Sequence, residues 1–342
     1  MAHADSSSKY YRILDMYLRL LDGDALSKKE EDRRYGINAR SVQRDLDDLK
    51  GFLAGQQTEG FHQALFYDRK RKGFILQGSR KDLSREEALA TAKILLESRA
   101  FTKEEMEALV DKIIRSAVSR NDVEDVEALV NNEKRYYGEL CHHDGHLLDK
   151  IWSAGEAIGK KRLISMTYVR HDGKEVARTV RPLGIMFSEF YFYLIAEFAN
   201  PADAGLSEST YRFPTVFRMD RILSFQLGEP FRSEYKERFQ GGEVRRRIQY
   251  MFGGDLTQVV FRYTGTSAEY ILDRLPTAEI IRKEKKGNGQ TAFTIKAEVY
   301  GTLGIRIWFL SQGAQVKVLS PSSLADNLKQ EFQKALALYE EG

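Results

Sequence analysis

Arg40 and Arg44 stand one helical turn apart in the stretch GINARSVQRDLDDLKGFL, residues 36–53, with Asn38, Ser41 and Gln43 close by. Guanidinium groups hold phosphates and guanine edges bidentately, and Asn, Ser and Gln supply further hydrogen-bonding groups, so this set has the chemistry of duplex DNA recognition. A second cationic group follows in LFYDRKRKGFILQG, where Arg69, Lys70, Arg71 and Lys72 lie between two apolar runs. Four adjacent cations at a hairpin tip suit contacts along a phosphate backbone. Either feature alone also suits an ordinary solvated surface; found together and in this order they favour DNA.

A third group, CHHDGH, holds the zinc-ligand types Cys141, His142, His143 and His146. Asp144-Gly145 reads as a turn between helices and no second ligand pair accompanies it, so neither a metal nor a cofactor is expected. The chain lacks H-E-x-x-H, G-x-S-x-G, paired Cys-x-x-Cys and GxxxxGK[ST] patterns, and no catalytic residue is assigned. It is therefore not expected to be an enzyme. A nucleic-acid-processing enzyme and a non-specific nucleic-acid-binding adaptor are the competing classes.

The elements that must position these groups follow from periodicity. Ile13, Tyr17, Leu20 and Leu21 recur at helical spacing up to Gly23. Ser27 with Glu30 has the spacing of a capping box for a short second helix ending at Gly36. Asn38 caps a third helix, in which Val42, Leu46, Leu49 and Leu53 form one apolar stripe with Arg40, Arg44 and Asp47 opposite. Two helices joined by a glycine turn, then a hairpin, are the elements of a winged helix-turn-helix.

Length and charge set the frame. At 342 residues the chain is long enough for two to four domains, and its +3 net charge is too small to diagnose nucleic-acid binding. Residues 81–150 stand apart as acidic, with 11 Lys/Arg against 16 Asp/Glu. No apolar run is long enough to span a bilayer, the opening MAHADSSSKYY lacks a signal-peptide core, and a lone Cys141 forms no internal disulfide, so a cytoplasmic location is expected.

Residues 83–160 show helical periodicity in SREEALATAKILLES, TKEEMEALVDKIIRSA and GHLLDKIWSAGEAIGKK, a helical connector. Ala90, Ile94, Leu95, Met106, Leu109, Val110, Ile113 and Ile114 either cover one another or form the seam of a homodimer, since readers of this type commonly grip two half-sites. From Leu163 the period becomes two: LISMTYV, EVARTV, LGIMF, YFYLIAEF and TVFRM read as short strands of a small antiparallel barrel or sandwich.

TVRPLGIMFSEFYFYLIAEF, followed by YRFPTVFRMDRI, resembles the WYL domain of bacterial transcriptional regulators, the name-giving tripeptide corresponding to Phe192, Tyr193 and Leu194. Its first position is Phe rather than Trp, which keeps the shape and loses the indole donor. SVQRDLDDL resembles the recognition helix of the winged helix-turn-helix in such regulators, and IWFLSQGAQVKVLSPSSL is similar to the extension that follows their WYL domain. The resemblance implies a Sm-like β-barrel that senses an effector, single-stranded DNA or a nucleotide-like ligand, through positions matching Tyr168, His171, Arg178, Arg181, Tyr193, Arg212, Arg218 and Arg221. Arginines suit phosphates and tyrosines suit base stacking. The bland alternative makes Tyr168 and Tyr193 core residues and pairs the arginines with neighbours such as Asp220 or Glu189. Alternation would put Tyr191, Tyr193 and Ile195 on one face, and would separate Arg218 and Asp220 from Arg221.

Residues 241–342 read strand, helix, hairpin, helix, strand, helix, a ferredoxin-like β-α-β-β-α-β order without its last helix. GNG at 287–289 suits the hairpin turn, and Arg245–Arg247 reads as a charged linker or an effector contact. The expected fold class is α+β multidomain: a winged helix-turn-helix over 1–80, a helical connector and dimerisation region over 81–160, a Sm-like antiparallel β-barrel (WYL) over 161–240 and a ferredoxin-like α/β extension over 241–342. The expected partners are a double-stranded DNA operator, the effector and a second copy of the chain.

Overall fold

The computed structural model describes residues 8–55, 62–79, 83–117, 120–140, 147–200, 214–232, 240–285 and 290–340. The chain divides into two compact units, Met1–Leu140 and Cys141–Gly342. None of the helices among the described residues is long and apolar enough to cross a membrane.

The first unit opens with α1 (Lys9–Leu21), α2 (Lys28–Tyr35) and α3 (Ala39–Gly55), then β1 (His62–Asp68) paired antiparallel with β2 (Gly73–Ser79). The α3 stripe of Val42, Leu46, Leu49 and Leu53 is buried with Met16, Leu20, Leu26 and Leu65 in one core. Each such side chain contributes roughly 1.5–3 kcal/mol relative to leaving it in water. The Asn38 side chain caps α3, its Oδ1 accepting from the Ser41 N–H at 2.9 Å. Gly36, with φ of 64°, lets the chain leave α2 in the left-handed conformation. Ser27 differs from expectation: it precedes α2 but makes no side-chain cap. Glu31 is instead drawn inward to the Arg19 guanidinium at 2.7 Å, while the Glu30 and Glu31 amides bond to the Ser27 carbonyl. Leu26 exchanges backbone hydrogen bonds with Phe74, both at 2.8 Å, which ties the α1–α2 connection to the hairpin.

Beyond the hairpin, α4 (Arg85–Ser98), α5 (Lys103–Ala117) and α6 (Arg120–Arg135) pack on one another. A capping box does form here, with Ser84 Oγ accepting from the Glu87 amide and Glu87 Oε2 from the Ser84 amide. Met106, Val110 and Ile114 turn into this pack, whereas Ile94 is 71% exposed and Ala90 faces solvent.

In the second unit α7 (Leu147–Gly159) leads into β3 (Arg162–Val169), β4 (Glu175–Ser188), β5 (Tyr191–Phe198), β6 (Thr215–Arg218) and β7 (Ile222–Pro230). By sequence α7 continues the helical stretch; in space it packs against β3, β4 and β7. EVARTV and LGIMF, read as two strands, are one: a bulge between Pro182 and Gly184 absorbs the proline without ending the pairing of β4 with β5. The strand order is β6-β5-β4-β3-β7, all antiparallel.

Among the described residues no pairing joins β6 to β7, so the expected barrel is here an open, rolled sheet. A single 3-10 turn, Met219–Arg221, links these two edge strands. In a flat sheet they would lie about 19 Å apart, four steps of ~4.8 Å. From Arg218 to Ile222 the chain reaches only about 14 Å even when extended. The sheet must curl to bring its edges together at this end, and contact between Tyr168 of β3 and Phe217 of β6, ring centroids 5.2 Å apart, shows that it does.

The chain continues through α8 (Gly241–Arg247), β8 (Leu256–Gly265), α9 (Glu269–Arg274), β9 (Glu279–Lys285), β10 (Thr291–Tyr300), α10 (Leu303–Ser311), β11 (Val316–Ser320) and α11 (Ser322–Glu340). The element order is the one expected from sequence, and the antiparallel sheet runs β11-β8-β10-β9. Its core joins Val259, Phe261, Ile295, Val299, Trp308, Phe309, Leu324 and Leu328. Arg245–Arg247 lie on α8, not in an extended linker. Gly304 has no room for a Cβ, which would sit 2.0 Å from the Gln249 carbonyl oxygen, and this close approach seats the α8–β8 connection on α10.

Candidate nucleic-acid interface and effector site

Arg40 and Arg44 are both exposed on α3, opposite the buried stripe. Beneath them Asp45, 2% exposed, accepts from Arg12 Nε of α1 at 2.9 Å, a buried pair that fixes how α3 lies on α1. Gln43 Nε2 donates to Asp47 Oδ1 at 2.8 Å, and the Asn38 oxygen is occupied by its cap. On the hairpin, Arg69, Lys70, Arg71 and Lys72 are all exposed. Asp68 Oδ1 accepts from the Lys70 and Arg71 amides at 2.7 and 3.2 Å, and the Arg71 and Lys70 amides hold this carboxyl below its usual range. Lys72 takes a left-handed φ of 54°, and the Arg71 guanidinium donates to the Gly23 carbonyl at 3.1 Å. The cationic tip is therefore an ordered turn.

In the second unit the seven described positions of the eight matched do not all converge. Arg212 lies outside the described residues, as do Cys141–His146 and residues 287–289. His171 is exposed in the turn between β3 and β4. Arg181 is committed to Glu197 across the β4–β5 pair. Arg178 lies 5.8 Å from the Phe198 ring and borders a trough of about 490 Å³ lined by Ser165, Thr167, Thr179, Ser224 and Gln226.

The remaining four meet where the sheet rolls. Tyr193 is the register partner of Arg218, whose guanidinium stands 3.5 Å from the Tyr191 ring centroid. The same guanidinium engages Asp220 through Nε at 3.1 Å and Nη2 at 2.7 Å. Asp220 is 2% exposed. Burial alone would lower the Arg218 pKa, but hydrogen bonding and charge from Asp220 hold it above the ordinary value. Tyr168 reaches the cluster from the other face, its hydroxyl accepting from the Arg218 amide at 3.4 Å. Burial pushes the Tyr168 and Tyr193 hydroxyls up, with Arg218 and Arg221 opposing this at Tyr168. Arg221 Nε is sealed from solvent and has no acceptor among the described residues. RMDRI does not run on as a strand, since it turns into the 3-10 segment after Arg218, yet Arg218 and Asp220 are paired as the expected alternation grouped them. Tyr193 also packs against Met186, Ile195, Val244, Ile248 and Met251, so it is at once a core residue and a neighbour of Arg218.

Residues 153–227, which span this cluster, match the model of the WYL domain. The second unit thus carries a WYL domain. Residues 255–336, the β8–α11 region of the WYL-domain protein, match the WCX domain, the extension anticipated from its sequence. Among solved structures, proteasome accessory factor B/C (PafBC) of Arthrobacter aurescens is similar at 16% identity with a TM-score of 0.29. That match covers 92% of this chain and 46% of PafBC, so the chain spans about half the length of that structure. No curated protein matches the chain. The stack of Arg218 on Tyr191, the buried Asp220 and the half-buried Tyr193 thus belong to the WYL domain itself.

Proposed function

We propose that this WYL-domain protein is a DNA-binding transcriptional regulator, not an enzyme, in which α1–α3 with the β1–β2 hairpin act as a winged helix-turn-helix. The observation that carries the reading is the two-sidedness of α3: Val42, Leu46, Leu49 and Leu53 bury one face and leave Arg40 and Arg44 outward, while the same unit presents a hairpin tip of four exposed cations. Arg40, Ser41, Gln43 and Arg44 are the groove contacts, and Arg69–Lys72 lie along phosphates. A homodimer of the chain, in the cytoplasm, binds an operator of two half-sites, with the helices of 81–160 serving assembly.

Control comes from the WYL domain, where Tyr168, Tyr193, Arg218 and Arg221 take an effector, single-stranded DNA or a nucleotide-like ligand. A guanidinium that already stacks on one aromatic ring and pairs with one carboxylate has the orientation that phosphate and base recognition require. An effector that prefers one dimer geometry shifts the population of recognition-helix spacings. The test is footprinting of the purified protein on its own genomic DNA with and without added oligonucleotides and nucleotides. Protection of discrete sites that responds to one of these ligands supports the reading; binding that is equal at all sequences and vanishes uniformly with salt refutes it.

A further inference from the structure

The helices of the WCX region pack on one face of the β11-β8-β10-β9 sheet, where Phe261, Ile295, Trp308 and Leu324 are buried. Alternation sends Arg262 of β8, Thr294 and Lys296 of β10 and Lys317 of β11 to the other face. There the register aligns Lys317, Arg262, Thr294 and Arg282 in one row across all four strands. The row is about 14 Å wide, three inter-strand steps of ~4.8 Å. Lys296 stands in the next row, opposite Glu279. The helix α8 borders this face, where Arg247 pairs with Glu298 and Arg246 and Arg247 line a trough together with Lys296 and Glu279.

The charge balance of the face is positive. Arg282 pairs with Glu284 at 2.6 Å and Glu298 with Arg247, but Arg262, Lys296 and Lys317 have no ion pair among the described residues. Glu279 is the acid left to face them. Arg262 is half-buried, with its Nε sealed from solvent and lacking an acceptor among the described residues. We propose that this open face is a second binding surface that takes single-stranded nucleic acid by its phosphate backbone. Forked guanidiniums and a threonine hydroxyl suit phosphate oxygens. An acidic protein would need an apolar patch beside the charges; besides Val260, the exposed Leu256 on this face stands opposite Tyr300, six residues along β8 from Arg262 and away from the charged row. Tyr300, the aromatic residue at its α8 end, packs into the cluster around Met186 and Ile248, so the described residues of this face offer bases no stacking platform and the contact is indifferent to sequence. The surface stands whether or not the WYL cluster takes an effector.

The test uses the full chain carrying Arg44→Ala and Arg218→Ala, which weaken both proposed sites, and a labelled oligothymidylate read by anisotropy. Oligothymidylate binding should persist in that protein. Adding Lys296→Glu and Lys317→Glu should weaken it about tenfold or more and flatten the log–log salt slope by about 1.4, or roughly 0.7 for each lost phosphate contact to a single strand. Loss of all binding in the starting variant, no effect of the charge reversals, or equal binding of duplex or polyglutamate would overturn the proposal. Should the charge reversals disturb folding, photo-crosslinking of a bromouridine oligomer to the unreversed protein decides: crosslinks within β8–β11 support the surface, and crosslinks confined elsewhere refute it.

Discussion

Arg12 Nε lies 2.9 Å from Asp45 Oδ2, and both side chains are nearly sealed from solvent beneath the helix that carries Arg40 and Arg44 outward. A buried ion pair is not in itself a large net stabiliser, but removing one partner strands the other charge. Asp45→Ala should therefore cost roughly 3–5 kcal/mol. Chemical denaturation followed in the first unit, residues 8–140, will read this as a lowered midpoint; an unchanged midpoint would mean that water reaches Arg12.

Arg44→Ala should act differently, because its side chain is exposed and makes no hydrogen bond or ion pair among the described residues. The expected loss is about 1–3 kcal/mol of duplex affinity at a selected operator. Thermal stability and binding of an effector oligonucleotide should not change. Equal loss of both affinities in direct titrations would contradict the separation of the two roles.

Asp220 restrains Arg218, so its removal separates a structural role from a ligand-binding one. If Arg218 holds an anionic effector, Asp220→Asn frees the guanidinium and strengthens binding of a phosphate-bearing ligand, by roughly tenfold or ~1.4 kcal/mol. Calorimetric titration that shows weaker or unchanged binding in a folded variant would assign Arg218 to structure alone.

Gly304 and Gly155 should respond to alanine in opposite ways. At Gly304 the new methyl collides with the Gln249 backbone, and overpacking of this kind costs about 1–3 kcal/mol. At Gly155, within α7, nothing lies within 4 Å, and alanine should add roughly 0.5–1 kcal/mol through its better helix propensity. Paired melting curves provide the check.

The hairpin tip should hold its form in acid. The pKa of Asp68 is depressed in the fold, so the contribution of its two amide hydrogen bonds is complete above the ordinary carboxylate range and disappears as pH falls through the lowered value. The Lys70 and Arg71 amide resonances should begin to shift below pH ~3.9, not above it.

Local signals in the sequence were legible where they act within one element. The four-residue spacing of Val42, Leu46 and their neighbours and the cap at Asn38 need no information from the rest of the chain. Identical local patterns can still diverge: Ser27 and Ser84 each precede a Glu at the capping distance, yet only Ser84 caps, and near Ser27 the acid that turns inward is Glu31, one residue past the capping position, which Arg19 holds. Asp45 sits in a run of aspartates and does not announce that it is buried; its partner is 33 residues away. The set around Arg218 rests in sequence largely on resemblance, but the Tyr191 stack depends on the β5–β6 register, and the separation of Arg178 and Arg181 from the cluster depends on how the sheet rolls. Pro182 looked like a strand boundary because a bulge that accommodates it is set by the neighbouring strand.

The three-residue link from Arg218 to Ile222 has no slack. One added residue there would let the rim of the sheet relax outward, drawing Tyr168 away from Phe217 and leaving Arg218 without its fixed bearing. Tolerance for insertions in the WYL domain should accordingly be lowest at this drawstring, although it carries no large apolar residue other than Met219.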